Sequence, residues 1–308
     1  EIILWFDSPG QIAPLWCARV MRCPYVLFVN GLPEEELTGL WGWVPIRGLV
    51  QQALRVSAQQ AQAVVSVCRE VPQWMQREWG VEPARCRVIR NGVDPLACVP
   101  RDKAEARRCL GLSPDRPYIG FVGGFFPWHG LDTLVEAMAL VRLEHPDATL
   151  LLVGDGQTKP ALEALVRRQG LEEAVSFVGR VPFDDVSWWI GASDLCVVLH
   201  RPVRFYPGDS MKLWEYLACA RPVVATAGEG YGDLVEALGA GVSVKADDVR
   251  GLAKALCGLI QNPAAASKMG QSGRHAVLGA HTWDARAVEL ERVLGMGSVE
   301  PLHERVCA

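Results

Sequence analysis

Short apolar runs recur along the whole chain, at 2–6, 25–29, 63–68, 87–90, 118–122, 149–153, 175–178, 195–200, 222–226 and 242–245. Each is rich in β-branched or other large apolar residues and has no interior polar stripe. Continuous runs of that length predict strands buried on both faces. Between them, apolar residues spaced three and four apart predict helices, as at 132–144, 159–169 and 252–260. Alternation of the two patterns predicts an α/β fold of parallel sheets joined by right-handed crossovers.

Turn chemistry divides the pattern. Asn91-Gly92-Val93-Asp94-Pro95 is a run of turn formers, and a polar stretch follows it as far as Pro117. A boundary is expected near residue 95. Six predicted strands follow it, enough for one doubly wound domain. Only four precede it. A sheet of that kind with so few strands leaves a raw edge, so the chain is expected to lack the start of its first domain. The expected organisation is a partial Rossmann-like domain over 1–95, a complete one over 96–282, and a terminal helix and tail over 283–308. The helix falls at 283–294, "WDARAVELERVL".

Composition narrows the function classes. The chain has 308 residues, half of them apolar, and a net charge of −4 from 31 basic and 35 acidic residues. That balance argues against nucleic-acid binding. The ten cysteines include no C-x-x-C; the closest pair, Cys17 and Cys23, is six apart. Reduced thiols in a cytoplasmic protein are expected. No apolar run reaches the roughly 18 residues that span a bilayer, and no leader pattern is visible. No D-x-D is present, which leaves a metal-bound diphosphate unsupported and no metal ligand to name. No Ser-His-Asp set, paired carboxylates or full G-x-G-x-x-G can be identified either.

Candidate chemistry gathers where predicted strands end, since doubly wound sheets bind ligands there. "YIGFVGG", "LLLVGDG", "CVVLHRPVRFYPGDS" and "RPVVATAGEGYG" each lead from a strand through a glycine-bearing or polar turn to a helix. Glycine admits a ligand close to the backbone, and helix N-termini offer free N–H groups to anions. In "SMKLWEYLACARPVVAT", Asp209 or Ser210 can cap a helix running to about Ala220. Lys212 then falls in the first turn, where a cation opposes the helix dipole. It becomes reasonable there if an anion docks beside it. Glu215 shares its face, and a carboxylate can accept both hydroxyls of a vicinal diol. On spacing alone the simpler account is a surface ion pair worth about 0.3 kcal/mol.

Taken in order, "VIRNGVD", "GFVGGFFPWHGLDTLVEA", "LLLVGDG", "VSFVGRVPFDDV" and "SMKLWEYLACARPVVAT" resemble the retaining glycosyltransferase family 4 from about residue 86 to 294. "LFVNGLPEEE" resembles its acceptor-domain segment. Each motif is weak alone; the ordered set is specific. The resemblance implies the GT-B fold, two Rossmann-like doubly wound parallel-sheet domains facing a cleft, the first incomplete here. It implies transfer of a sugar from a nucleotide-diphosphate donor to a glycan, lipid-linked or small-molecule acceptor, with retention and without metal or other cofactor.

By the same resemblance, Glu215 would hold the ribose and Lys212 the phosphate, with Ser210 at the same helix start. Gly123 and Gly124 would face the diphosphate, Arg180 and Val181 the base, and Gly230 the donor. His129, Lys212 and Asn30 are the expected catalytic groups. His129 reads equally well as a loop residue capping the next helix. Arg201 and Arg204 could add positive charge, although each alone is more simply a solvated loop residue.

Several positions depart from the family pattern. Pro207 stands where a donor-facing glutamate is common, Gly124 where arginine is, His129 where lysine is, and Asn30 where histidine is. Asp7 is a further cleft candidate, or a turn residue of "DSPG". The glycine-rich loop expected near the start has no counterpart. A non-catalytic nucleotide-binding remnant is therefore the alternative, and a GT-B epimerase or phosphorylase a third. "LTGLWGWVPIRGLVQQALRV", with Trp41, Trp43, Arg47 and Arg55, could give peripheral contact with the cytoplasmic face of a membrane. An inward-packed helix is the simpler account of it.

Overall fold

The computed structural model describes residues 3–6, 13–30, 47–201, 208–228 and 231–295. All ten predicted strands form, most within two residues of the expected limits. They belong to two compact units, and the division does not follow chain order. The first unit takes Glu1–Gly92, Val203–Ser210 and Trp283–Ala308; the second takes Val93–Pro202 and Met211–Thr282.

The first unit holds a parallel sheet in the order β1 (Ile3–Phe6), β2 (Tyr25–Val29), β3 (Ala63–Ser66), β4 (Cys86–Val88). The Arg47–Gln60 helix covers one face, burying Leu54 and Ala58 with Leu27, Val64, Met75 and Trp79. On the other face Leu290 and Val293 of the Trp283–Val293 helix pack against Val26, Val65 and Ile89. That apolar stripe explains why the terminal helix joins this unit. Residues 208–210 join it through Asp209, whose carboxylate accepts the Asn91 N–H at 2.7 Å and Arg90 at 3.2 Å. Arg55 is exposed on its helix. Asp7, Trp41, Trp43 and Pro207 lie outside the described residues, as does the side chain of Arg47.

The second unit is a six-stranded parallel sheet in the order β10-β9-β8-β5-β6-β7. Its strands are β5 (Tyr118–Val122), β6 (Thr149–Val153), β7 (Val175–Gly179), β8 (Leu195–Val198), β9 (Val223–Thr226) and β10 (Gly241–Val244). Helices Leu131–Glu144, Lys159–Gln169 and Val249–Gln261 cover one face. Phe183–Ala192, Met211–Ala218 and Gly232–Ala237 cover the other. Both faces are therefore apolar, which is why the strands read as unbroken hydrophobic runs. β8 ends two residues earlier than its apolar run, because the His200 N–H turns to the Thr226 hydroxyl at 2.8 Å.

Among the described residues no helix is long and apolar enough to cross a membrane. The nine cysteines among them are all free.

Candidate functional site

In the second sheet β5 and β8 are neighbours, yet the chain leaves them toward opposite faces. After β5 it enters the Leu131–Glu144 helix, and after β8 the Met211–Ala218 helix. Such a reversal opens a crevice at the carboxyl ends of the two strands, where ligands of doubly wound sheets bind. Gly123 and His200 both lie there.

Gly123 has φ +147°, which disfavours a side chain, and a Cβ on it would sit 3.0 Å from Cε of Lys212. Its N–H donates to Val153 O at 2.9 Å, and the Phe125 N–H donates to Asp155 O at 2.9 Å. Gly154, with φ +133°, packs so close that a Cβ would collide with the Gly123 carbonyl. The loops after β5 and β6 are thus sewn together by backbone, and the absence of a side chain at Gly123 leaves room for the Lys212 stem.

The Met211–Ala218 helix is set by its buried face. Leu213, Trp214, Tyr216 and Leu217 are fully buried, and Trp214 stacks on His281 with centroids 4.2 Å apart. The Tyr216 hydroxyl accepts the Val122 N–H at 2.7 Å and donates to the Val122 carbonyl at 3.2 Å. It satisfies the last residue of β5 and ties the helix to the Gly123 turn. Sequence reasoning did not single out Tyr216; its only signal is a hydroxyl on the core face of an amphipathic helix.

Lys212 and Glu215 are left on the less buried face. No hydrogen bond or ion pair joins them among the described residues, so the surface ion pair does not form. Lys212 turns instead to His129, with Nζ 3.1 Å from Nε2 and 5.5 Å from the centroid of the Phe121 ring. His129 Nδ1 lies 2.6 Å from the Gly124 carbonyl. A carbonyl only accepts, so Nδ1 carries the proton and Nε2 accepts from the Lys212 ammonium. His129 therefore does not cap the following helix, whose N-cap is Gly130 without a side-chain bond.

The charges follow from burial. Burial first, and then the Lys212 charge, push His129 down to about 3, so the ring is neutral. Burial lowers Lys212 to about 8, against the opposing pull of Glu215. Glu215 is raised by burial, opposed by Lys212. Its carboxylate takes no hydrogen bond from the described residues. His200 is a further member that the sequence did not suggest, except as a polar end to an apolar run. Its Nε2 is buried without a partner among the described residues, and burial, then Lys212, lower it to about 4.

The remaining expected residues sit as follows. Arg180 is exposed and Val181 half-buried after β7, whose Gly179 carbonyl accepts the Gly154 N–H at 2.7 Å. Ser210 directly precedes the Met211–Ala218 helix, but its hydroxyl is buried with no partner among the described residues, so it does not cap by hydrogen bond. Arg201 is not held as free charge; Asp132 at 2.8 Å, Asp247 at 2.5 Å and Thr133 at 3.0 Å engage it. Asn30 is exposed at the carboxyl end of β2, in the first unit. Arg204 and Gly230 lie outside the described residues. The second unit thus brings together an ammonium and a carboxylate that share no ion pair or hydrogen bond with any acid or donor among the described residues, and two neutral imidazoles. Such a set can hold an anionic group and a hydroxyl-bearing group side by side.

Comparison with known proteins bears on the fold and the family. The model "Glycosyl transferases group 1" matches residues 116–262, and "Glycosyltransferase Family 4" matches residues 2–95. A GDP-mannose-dependent monoacylated alpha-(1-6)-phosphatidylinositol monomannoside mannosyltransferase of Corynebacterium glutamicum is 27% identical over 82% of this chain and 67% of its own. A D-inositol 3-phosphate glycosyltransferase of Kribbella flavida is 30% identical over 63% of this chain and 47% of its own. The chain thus spans between about half and two thirds of these two relatives' lengths. The crystal structure of Anabaena HepE in complex with UDP-glucose aligns with a TM-score of 0.76 at 20% identity, covering 95% of this chain and 78% of that one. With residues 2–95 and 116–262 matched by family models and the fold shared with GT-B structures, the chain belongs to the family 4 glycosyltransferases.

Proposed function

We propose that this protein is a retaining glycosyltransferase that moves a sugar from a nucleotide-diphosphate donor to a hydroxyl-bearing acceptor, a glycan, a lipid-linked sugar or a small molecule. The observation that carries the reading is the Lys212 ammonium, held on neutral His129 at the turn after β5, with the Glu215 carboxylate, which has no hydrogen-bond partner among the described residues, one turn along the same helix. One relative is named GDP-mannose-dependent and one structure holds UDP-glucose, which supports a nucleoside diphosphate sugar as donor.

In this reading the second unit is the donor domain and the first carries the acceptor side. Lys212 neutralises charge on the departing diphosphate, the largest electrostatic demand of the reaction. His129 steers Lys212 through Nε2. Glu215 accepts the ribose hydroxyls. Gly123 and Gly124 let the diphosphate approach the backbone, while Arg180 and Val181 border the base. Asn30 would bind an acceptor hydroxyl; its amide cannot serve as a base. No metal step is invoked. A cytoplasmic site of action with peripheral membrane contact is part of the same proposal; an acceptor on a lipid would require that contact.

The test is a thermal shift with UDP and with GDP, followed by transfer from UDP- and GDP-sugars with the product anomer read by NMR. Stabilisation by one diphosphate, lost in Glu215→Ala, together with a retained anomeric configuration, is expected. No shift with either would overturn the nucleotide site. A shift without turnover would favour the non-catalytic remnant.

A further inference from the structure

A second side-chain cluster lies at the other end of the Leu131–Glu144 helix from the donor turn. Glu144 closes that helix, His145 is its C-cap, and Cys257 projects from the neighbouring Val249–Gln261 helix. One ligand atom from each lies within 4.8 Å of the others. We propose that Glu144, His145 and Cys257 form a binding site for a zinc-class divalent transition metal, separate from the donor site and not required by its chemistry.

Three features point to a cation there. The first is His145 Nε2, which is buried and has no hydrogen-bond partner among the described residues. A ring nitrogen left in that state is costly, and a metal bond through its lone pair would remove the cost. The second is Glu144. It stands at the negative end of a helix, where an acidic side chain is misplaced and a cation is favoured. Its Oε2 accepts Gln261 Nε2 at 3.0 Å, which orients the carboxylate, and Oε1 takes no hydrogen bond from the described residues. No ion pair engages it among the described residues. The third is Cys257, only 4% exposed, whose sulfur supplies the soft ligand.

The donor set selects the metal. Sulfur and imidazole nitrogen exclude the hard cations magnesium and calcium, which take oxygen. Cysteine, histidine and a carboxylate together suit zinc in a tetrahedral site with water as fourth ligand. Ligand atoms of such a site lie roughly 3.5 Å apart; the three atoms already lie within 4.8 Å of one another, and the exposed Glu144 side chain has room to move toward the other two. On binding, the Cys257 S–H bond breaks, a metal–thiolate bond forms and one proton is released to solvent; His145 and Glu144 bind through existing lone pairs.

The experiment uses the reduced, metal-free chain titrated with cobalt(II) and then zinc(II), read by absorbance, chelator competition and proton release. One equivalent of cobalt should give a thiolate charge-transfer band that zinc bleaches, with about one proton released. Cys257→Ser should abolish the band. His145→Gln and Glu144→Gln should each weaken zinc at least about tenfold. Circular dichroism checks each variant's fold, and the two substitutions at the partly exposed helix end decide the matter if Cys257→Ser does not fold. Absence of stoichiometric binding, a band that survives Cys257→Ser, or unchanged affinity in both of the other variants would overturn the proposal.

Discussion

Lys212 Nζ lies 3.1 Å from Nε2 of His129, a residue 83 positions earlier, while no bond joins it to Glu215 three positions later. Two groups that look paired along the chain are therefore separated in the fold. One is a cation steered by a neutral ring, and the other a carboxylate with no hydrogen bond from the described residues. Most of what the site can do depends on that choice of partner.

The first consequence is a pH limit on binding. Lys212 titrates near 8 because burial disfavours its charged form. A diphosphate needs the ammonium, so affinity for UDP or GDP should fall as pH rises above about 8. A bound anion would raise that limit by favouring the charge. Lys212→Met should bind about ten- to a hundredfold more weakly, the worth of a charge-assisted hydrogen bond, and should lose the alkaline limb. Calorimetric titration on either side of pH 8 checks both; an equally steep limb in Lys212→Met would remove Lys212 from the site.

Glu215 should recognise the ribose diol rather than the phosphates. Wild type is expected to prefer a nucleoside diphosphate over its 2′,3′-dideoxy analogue by about tenfold or more. Glu215→Ala should weaken the former and erase the preference. Competition binding with the two ligands measures this directly, and a preference that persists in the variant would assign the diol to another residue.

Acid should destabilise the second unit through its two neutral histidines. His129 is held near 3 and His200 near 4 in the folded chain, against about 6.5 when unfolded. The unfolded state therefore binds more protons between those values. The stability these rings contribute is present above about 6.5 and is lost as pH falls through that window. Urea unfolding at descending pH should show the slope, and His129→Gln and His200→Gln should each reduce it.

Tyr216→Phe tests the tie between the helix and β5. Removing the hydroxyl leaves the buried Val122 N–H without the partner it has at 2.7 Å. A loss of about 1–3 kcal/mol is expected for a buried group left unsatisfied. Because Lys212 rides on the same helix, nucleotide affinity should fall as well as the unfolding midpoint. A variant with lower stability but unchanged affinity would show that the tie does not position Lys212.

The strands were legible because each is buried on both faces and so appears as an uninterrupted apolar run; β5, β6 and β9 sit where such runs occur. The same holds for the amphipathic helices and for the glycine turns at Gly123, where a positive φ disfavours a side chain, and Gly154, where backbone approach excludes one. Lys212 was visible as a cation at the wrong end of a helix. Its partner was not, because i,i+3 spacing puts Glu215 on the same face while the choice between Glu215 and His129 is made by how the β5 turn folds over the helix.

The same limit hid His200 and Tyr216, ordinary residues until β8 is placed beside β5. Arg201 also looked free until Asp132 and Asp247, far apart in the chain, were brought around it. What the chain determined by itself was local: period, turn chemistry and the order of motifs, all set by residues within a few positions of one another. What only the tertiary structure decided was partnership and protonation. Those depend on burial and on charges brought close from distant segments, and no local pattern records them.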